Sequence, residues 1–257
     1  MRLTRRDLLT GAALLPAAVP LVAYRSAAAK AAPSGDTRNM HLGLAAYSMR
    51  DALTAGEMDL FGFVDWCAEL GLPGAELTSY YFPEEFDDSY LHDLRRHAFR
   101  RGVTVTGTAI RNNFCQPPGP AKDREIAHVN RWIDHAAELF APHIRIFAGD
   151  LPEGTAKETG IAWVAEGIRA VLPHAAERGI MLGLENHGGI TARAADHLAI
   201  CDAVGDHPWF GVNLDTFNYK TNPYEELAMA APRAVNVQVK VDMTGPSGEL
   251  EPTDLRR

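Results

Sequence analysis

Cysteine is scarce in this chain: three residues, Cys67, Cys115 and Cys201, far apart and odd in number. That is unlike any disulfide framework. Cys67 and Cys201 fall in helical patterns, as small buried apolar residues do. No His-x-x-x-His pair or comparable metal-ligand spacing occurs, so the histidines receive no metal from spacing alone. No Gly-rich phosphate loop follows the first strand-like segment, which disfavours an open dinucleotide-binding sheet. Past residue 32 no apolar run is long enough to span a bilayer, and no linker or low-complexity stretch divides the chain. Basic charge is also short, with 25 Lys+Arg against 33 Asp+Glu and a net charge of −8. The first 32 residues hold Arg2, Arg5, Arg6, Arg25 and Lys30 against Asp7, so the remainder carries −12. So acidic a body is a poor partner for nucleic acid.

The N-terminus is different in kind. Arg5-Arg6 is followed by an apolar run from Leu8 to Ala23, interrupted by Pro16 and Pro20, then by Ser26-Ala27-Ala28-Ala29. This resembles a twin-arginine export signal with a small-residue cleavage site. The expectation is a leader over residues 1–32, removed on export to the periplasm or beyond. Membrane contact is then limited to the export machinery. Such a pathway suits a protein that folds before it crosses.

From His41 the sequence alternates strand-like and helix-like segments. The expected strands are His41–Tyr47, Gly74–Thr78, Val103–Ala109, His143–Phe147, Ile180–Glu185, Phe210–Asp215 and Ala234–Val241. The expected helices are Leu60–Leu70, Ser89–Arg101, Asp123–Phe140, Ile161–Glu177, Ala192–Val204 and Tyr224–Ala230. Residues 242–252 read as a polar loop, and Thr253-Asp254 as a helix cap. The reading is an α/β fold, a (β/α)8 TIM barrel over residues 33–257, with seven strands present and the eighth βα unit missing. At about 250 residues such a barrel is commonly one domain.

Two strands end in functional groups. Ile180–Leu184 stops at Glu185-Asn186-His187-Gly188-Gly189, and Phe210–Leu214 stops at Asp215-Thr216-Phe217-Asn218. Groups at the C-terminal ends of parallel strands stand at a barrel mouth. With Val235-Asn236-Val237-Gln238-Val239-Lys240 and Glu76-Leu77-Thr78-Ser79-Tyr80-Tyr81, these motifs resemble the xylose isomerase-like TIM barrels, the sugar phosphate isomerase/epimerase superfamily. The resemblance runs from about His41 to the C-terminus.

It implies a divalent metal at the mouth, Mn²⁺ or Mg²⁺, held by Glu185 and Asp215 in the places of the family's strand-five Glu and strand-six Asp. Gln238 stands where a strand-seven His is usual, and the strand-eight Glu has no counterpart. Asn218 stands where some branches have a further His. Oxygen donors suit a hard cation. Such a cation polarises a carbonyl, and Glu185 would act as acid/base on the neighbouring carbon. The candidate substrate contacts are Tyr47, Glu76, His187, Asn218 and Lys240. Each has a plainer alternative: a paired strand-end charge, a turn former or an aromatic of the core.

The implied activity is an exported, metal-dependent sugar isomerase or epimerase acting through an enediolate. The partner would be a small-molecule sugar or glycoside, and a homo-oligomer is compatible with this. Two rivals stand beside it. One is a lyase that expels the substituent of a 3-keto-glycoside by β-elimination. The other is an inactive, truncated sugar-binding barrel.

Overall fold

Seven parallel strands lie in sequence order across one sheet, each paired with the next. They are β1 (Gly43–Ala45), β2 (Gly74–Thr78), β3 (Thr104–Ala109), β4 (His143–Ile146), β5 (Met181–Glu185), β6 (Phe210–Asp215) and β7 (Ala234–Gln238). This computed structural model describes residues 42–245 and 248–254. The export signal expected at residues 1–32 lies outside them. Among the described residues no strand joins β7 back to β1. The sheet nevertheless curls, because Gln238 on β7 reaches the Glu76 carboxylate on β2. The architecture is the TIM-barrel type with seven strands.

Helices connect the strands: α1 (Arg50–Thr54), α2 (Leu60–Glu69), α3 (Asp88–Arg101), α4 (Pro120–Leu139), α5 (Lys157–Arg178), α6 (Ala194–Val204) and α7 (Pro223–Ala230). Their ends follow local chemistry. Asp59 and Asp87 accept from the backbone N–H groups of Gly62 and Tyr90 at 2.8 and 3.1 Å, capping α2 and α3. Pro120 and Pro223 start α4 and α7, where a missing N–H costs nothing. Among the described residues no helix is long and apolar enough to cross a membrane.

Alternation along each strand sorts its residues into two layers. Leu77, Ile144, Leu182, Leu184 and Val212 point outward and pack under Phe63, Ile133, Ile168, Val171 and Ile200 of the helices. Burying each such side chain is worth about 1.5–3 kcal/mol. The alternate residues, Glu76, His143, Arg145, Glu185, Asn213, Asp215, Asn236 and Gln238, face the barrel interior. The apolar core therefore lies between sheet and helices, and the interior is polar.

Three expectations are corrected. The first strand stops at Ala45, and Tyr47 lies in a 3-10 turn, Ala46–Met49, because β1 pairs with β2 over three residues only. The last parallel strand stops at Gln238, not Val241. The polar stretch after it folds as an antiparallel hairpin, β8 (Asp242–Thr244) with β9 (Leu250–Pro252). Met243 is fully buried and anchors the hairpin. Thr253 donates its hydroxyl to the Lys240 carbonyl at 2.6 Å, and residues 255–257 lie outside the described residues. All three cysteines are buried and unpaired.

Candidate active site at the strand ends

β5 places Glu185 by alternation: Leu182 and Leu184 go to the helices, Gly183 and Glu185 to the interior. Gly183 is needed for close approach. A Cβ there would stand 2.4 Å from His143 Nε2 and 3.0 Å from the Asn213 Cβ. After Glu185 the chain turns sharply at Gly189, where φ is +50° and a Cβ would stand 2.5 Å from Asp150 Oδ1 and 2.6 Å from the Gly149 carbonyl oxygen, leaving no room for a side chain. Asn186 does not enter the mouth. It donates to the Asp215 carbonyl at 2.9 Å and accepts from the Asp215 N–H at 2.8 Å, as a peptide would. Asn112 clamps the Phe147 backbone in the same way, at 2.8 Å in both directions. Each asparagine extends the sheet ladder by one rung and fixes the end of the next strand.

Glu185 is 3% exposed, and both of its oxygens are engaged. Arg145 Nε lies 2.8 Å from Oε2, an ion pair without an aligned hydrogen bond, and Asn218 Nδ2 donates to Oε1 at 3.0 Å. Arg145, itself 6% exposed, donates to the Ile110 carbonyl at 2.6 Å and reaches the Tyr80 hydroxyl at 3.4 Å. Its guanidinium carbon sits 3.9 Å from the centre of the Phe147 ring. Burial pushes the Glu185 carboxyl up to about 7, against the opposing pull of Arg145. Burial and the same arginine push His143, beneath it, down to about 4.

Asp215 is 1% exposed. Its Oδ1 accepts from the Phe217 N–H at 2.8 Å, and its Oδ2 pairs with Lys240 Nζ at 2.6 Å. Across the mouth, Gln238 Nε2 stands 3.4 and 3.5 Å from the two oxygens of Glu76. Glu76 is buried, and its carboxyl is held above the usual range by that burial, with Arg145 pulling the other way.

The structure thus brings Glu185, Asp215, Asn218, Lys240, Gln238 and Glu76 to one mouth. His187 lies at its rim, stacked on Phe147 with ring centres 4.0 Å apart, and burial beside Arg145 lowers its pKa. Tyr47 stands farther out, edge-on to Tyr80 at 6.5 Å. Sequence reasoning missed Arg145. The signal for it was the alternation His143-Ile144-Arg145-Ile146, which sets two polar residues on the inner face of a buried strand.

The chemistry of the donors fits a hard divalent cation in kind. Glu185 and Asp215 end the consecutive strands β5 and β6 and present carboxylate oxygens, while Gln238 at the end of β7 turns its Nε2 towards Glu76. Among the described residues no three His, Cys, Asp or Glu side chains could hold an ion by themselves.

Comparison with known proteins agrees with this architecture. The chain resembles solved structures that include D-psicose 3-epimerase from Clostridium cellulolyticum H10 with D-tagatose. That match has 18% identity, a TM-score of 0.67, and coverage of 78% of this chain and 73% of that one. A 3-keto-D-glucoside 4-epimerase from E. coli matches at 14% identity and TM-score 0.57, over 70% and 73% of the two chains. A protein from Sinorhizobium meliloti 1021 matches at 25% identity and TM-score 0.59, over 75% and 70%. No curated protein matches in sequence. The family model described as xylose isomerase-like TIM barrel matches residues 64–250, most of the chain. The motifs at the ends of β2, β5, β6 and β7 fall inside that match, and the chain belongs to the xylose isomerase-like TIM barrel family.

Proposed function

We propose that this chain is a sugar isomerase or epimerase in which Glu185 moves a proton at a carbon next to a carbonyl. One observation carries the reading: Glu185 is a buried strand-end carboxylate, oriented through both oxygens, with a pKa pushed up to about 7. A base poised near neutral pH can take a proton and return it. Glu185 would accept the proton, and the C–H electron pair would become the C=C bond of an enediolate. Returning the proton to the adjacent carbon completes an isomerisation; epimerisation needs a proton delivered to the opposite face of the enediolate by a donor other than Glu185. Arg145 and Asn218 fix the carboxylate, and Lys240 lowers the cost of negative charge developing at the mouth. Glu76 and His187 would bind substrate hydroxyls. Family membership supports the reading, as do the two epimerases that share the fold.

Glu185, Asp215 and Gln238 would hold a Mn²⁺ or Mg²⁺ ion, with Lys240 moved off Asp215. When bound, such an ion would polarise the substrate carbonyl. The export signal read at the N-terminus makes a free or oxidised sugar, or a glycoside, the natural substrate class.

The test is deuterium uptake from D₂O next to the carbonyl of free ketoses and 3-keto-glycosides, followed by NMR with and without Mn²⁺. Uptake by the unaltered chain and a loss of about 100-fold or more in Glu185→Gln is expected. Equal uptake by Glu185→Gln, or none by the unaltered chain, refutes the reading. Release of the aglycone from a 3-keto-glycoside would move the assignment to a lyase.

A further inference from the structure

Beside the mouth lies a second cleft of about 810 Å³ that the proton-transfer reading does not use. Its walls come from three successive strand ends. Tyr47 and Arg50 follow β1, Tyr80 and Tyr81 follow β2, and Arg111 follows β3. The two arginines are arranged alike. Arg50 lies over the Tyr47 ring, 5.4 Å from its centre, and Arg111 lies over the Tyr80 ring at 4.8 Å. Tyr47 and Tyr80 meet edge to face at 6.5 Å, and Tyr80 meets Tyr81 at 6.1 Å. Stacking fixes the plane of a guanidinium and leaves its N–H edge free for a ligand.

The charge of the cleft is opposite to that of the chain. Asp51 is its one acid. It pairs with Arg50 at 3.7 Å, but its side chain is 94% exposed, so water screens it. Arg111 has no carboxylate partner among the described residues. A cationic, tyrosine-walled cleft thus sits on a protein of net charge −8. It is also wired to the mouth. The Tyr80 hydroxyl is 3.4 Å from Arg145, whose Nε is 2.8 Å from Glu185.

We propose that this cleft is a subsite for an oxyanion carried by the substrate, bound by the guanidinium edges of Arg50 and Arg111 while the tyrosine rings pack on the sugar. The proposal rests on the sugar reading above and narrows its substrate class to a sugar acid in place of a neutral sugar. Planar guanidinium forks lining one cleft favour a carboxylate or phosphate over a hydroxyl.

Calorimetric titration of the full chain with D-glucuronate, D-glucose and D-glucose 6-phosphate tests it. The acid should bind about tenfold or more tightly than glucose, and Arg111→Ala and Arg50→Ala should each cut that preference by about tenfold. Both positions are exposed, so folding is not at stake, and Arg111→Lys should keep part of the preference. Tighter binding of the phosphate ester than of glucuronate supports the subsite but overturns the sugar-acid class. Equal binding of acid and neutral sugar, or an equal loss for both in Arg111→Ala, overturns the proposal. Glu185→Gln should retain the preference for the acid. If deuterium uptake fails while that preference stands, the proton-transfer reading falls and the subsite survives.

Discussion

Strands β5 and β7 end in the same mouth, yet they are built differently. β5 is buried along nearly its whole length, with helices on one face and interior side chains on the other. β7 alternates, and Val235 and Val237 on its outer face are 42% and 47% exposed. The difference reaches the functional groups. Glu185 is held at 2.8 and 3.0 Å by partners on two other elements, whereas Gln238 has only a 3.4 Å contact with Glu76. A strand covered on both faces fixes its last residue by packing. A strand covered on one face leaves that residue to its own polar contacts.

The sharpest way to break this contrast is to remove a partner on the covered side. Arg145→Met leaves the Glu185 carboxylate buried without a cation and should cost about 3–5 kcal/mol in urea unfolding. Leu184→Ala, which opens a cavity between β5 and the helices, should cost about 2–5 kcal/mol by the same measurement. If either variant unfolds at the unaltered midpoint, the covered side is not what holds the site.

The covered side should also carry the acid sensitivity. Burial holds His143 and His197 near pKa 4, below their ordinary 6.5. Between those values the unfolded chain binds more protons than the folded one. Their contribution is intact above pH 6.5 and drains away as pH falls toward 4. Each should account for something on the order of 2–3 kcal/mol over that range. Glu185 works in the opposite direction. Its raised pKa favours the folded state below 4.5, and that advantage is lost as pH rises through 7. His143→Gln should flatten the acid limb of a stability-against-pH curve, and an unchanged limb would remove His143 from the account.

The open side should respond more gently. Lys240→Met frees the Asp215 oxygen that the ammonium now holds at 2.6 Å, so Mn²⁺ should bind several-fold more tightly by calorimetry. Weaker binding would mean that the cation does not share Asp215 with the lysine. Val237→Ser, on the exposed face, should shift stability by no more than about 0.5 kcal/mol.

The same contrast explains what could be read from the chain alone. The seven strands and six of the seven helices were legible because apolar periodicity records burial, and most of these elements are buried on a defined face. Glu185 and Asp215 were legible because each interrupts an apolar run at a strand end. Arg145 was not, since a charged residue inside a short strand looks like an accident until the facing carboxylate is seen. The roles of Asn112 and Asn186 were hidden too, because an amide that replaces a peptide group leaves no periodic trace. The β8–β9 hairpin is short and mostly polar, so its pairing could not be told from a loop. Helix α1 has five residues, too few for a period to repeat.

The three thiols offer a use of their own. Cys67 lies on α2, Cys115 in the loop after β3, and Cys201 on α6, all buried. Burial pushes the thiols of Cys67 and Cys201 up to about 11, so neither is nucleophilic while the fold is closed. Alkylation of each cysteine can then proceed only through an opening of its own neighbourhood. Timed labelling followed by mass spectrometry would give three local opening free energies from one sample, with no residue added to the chain.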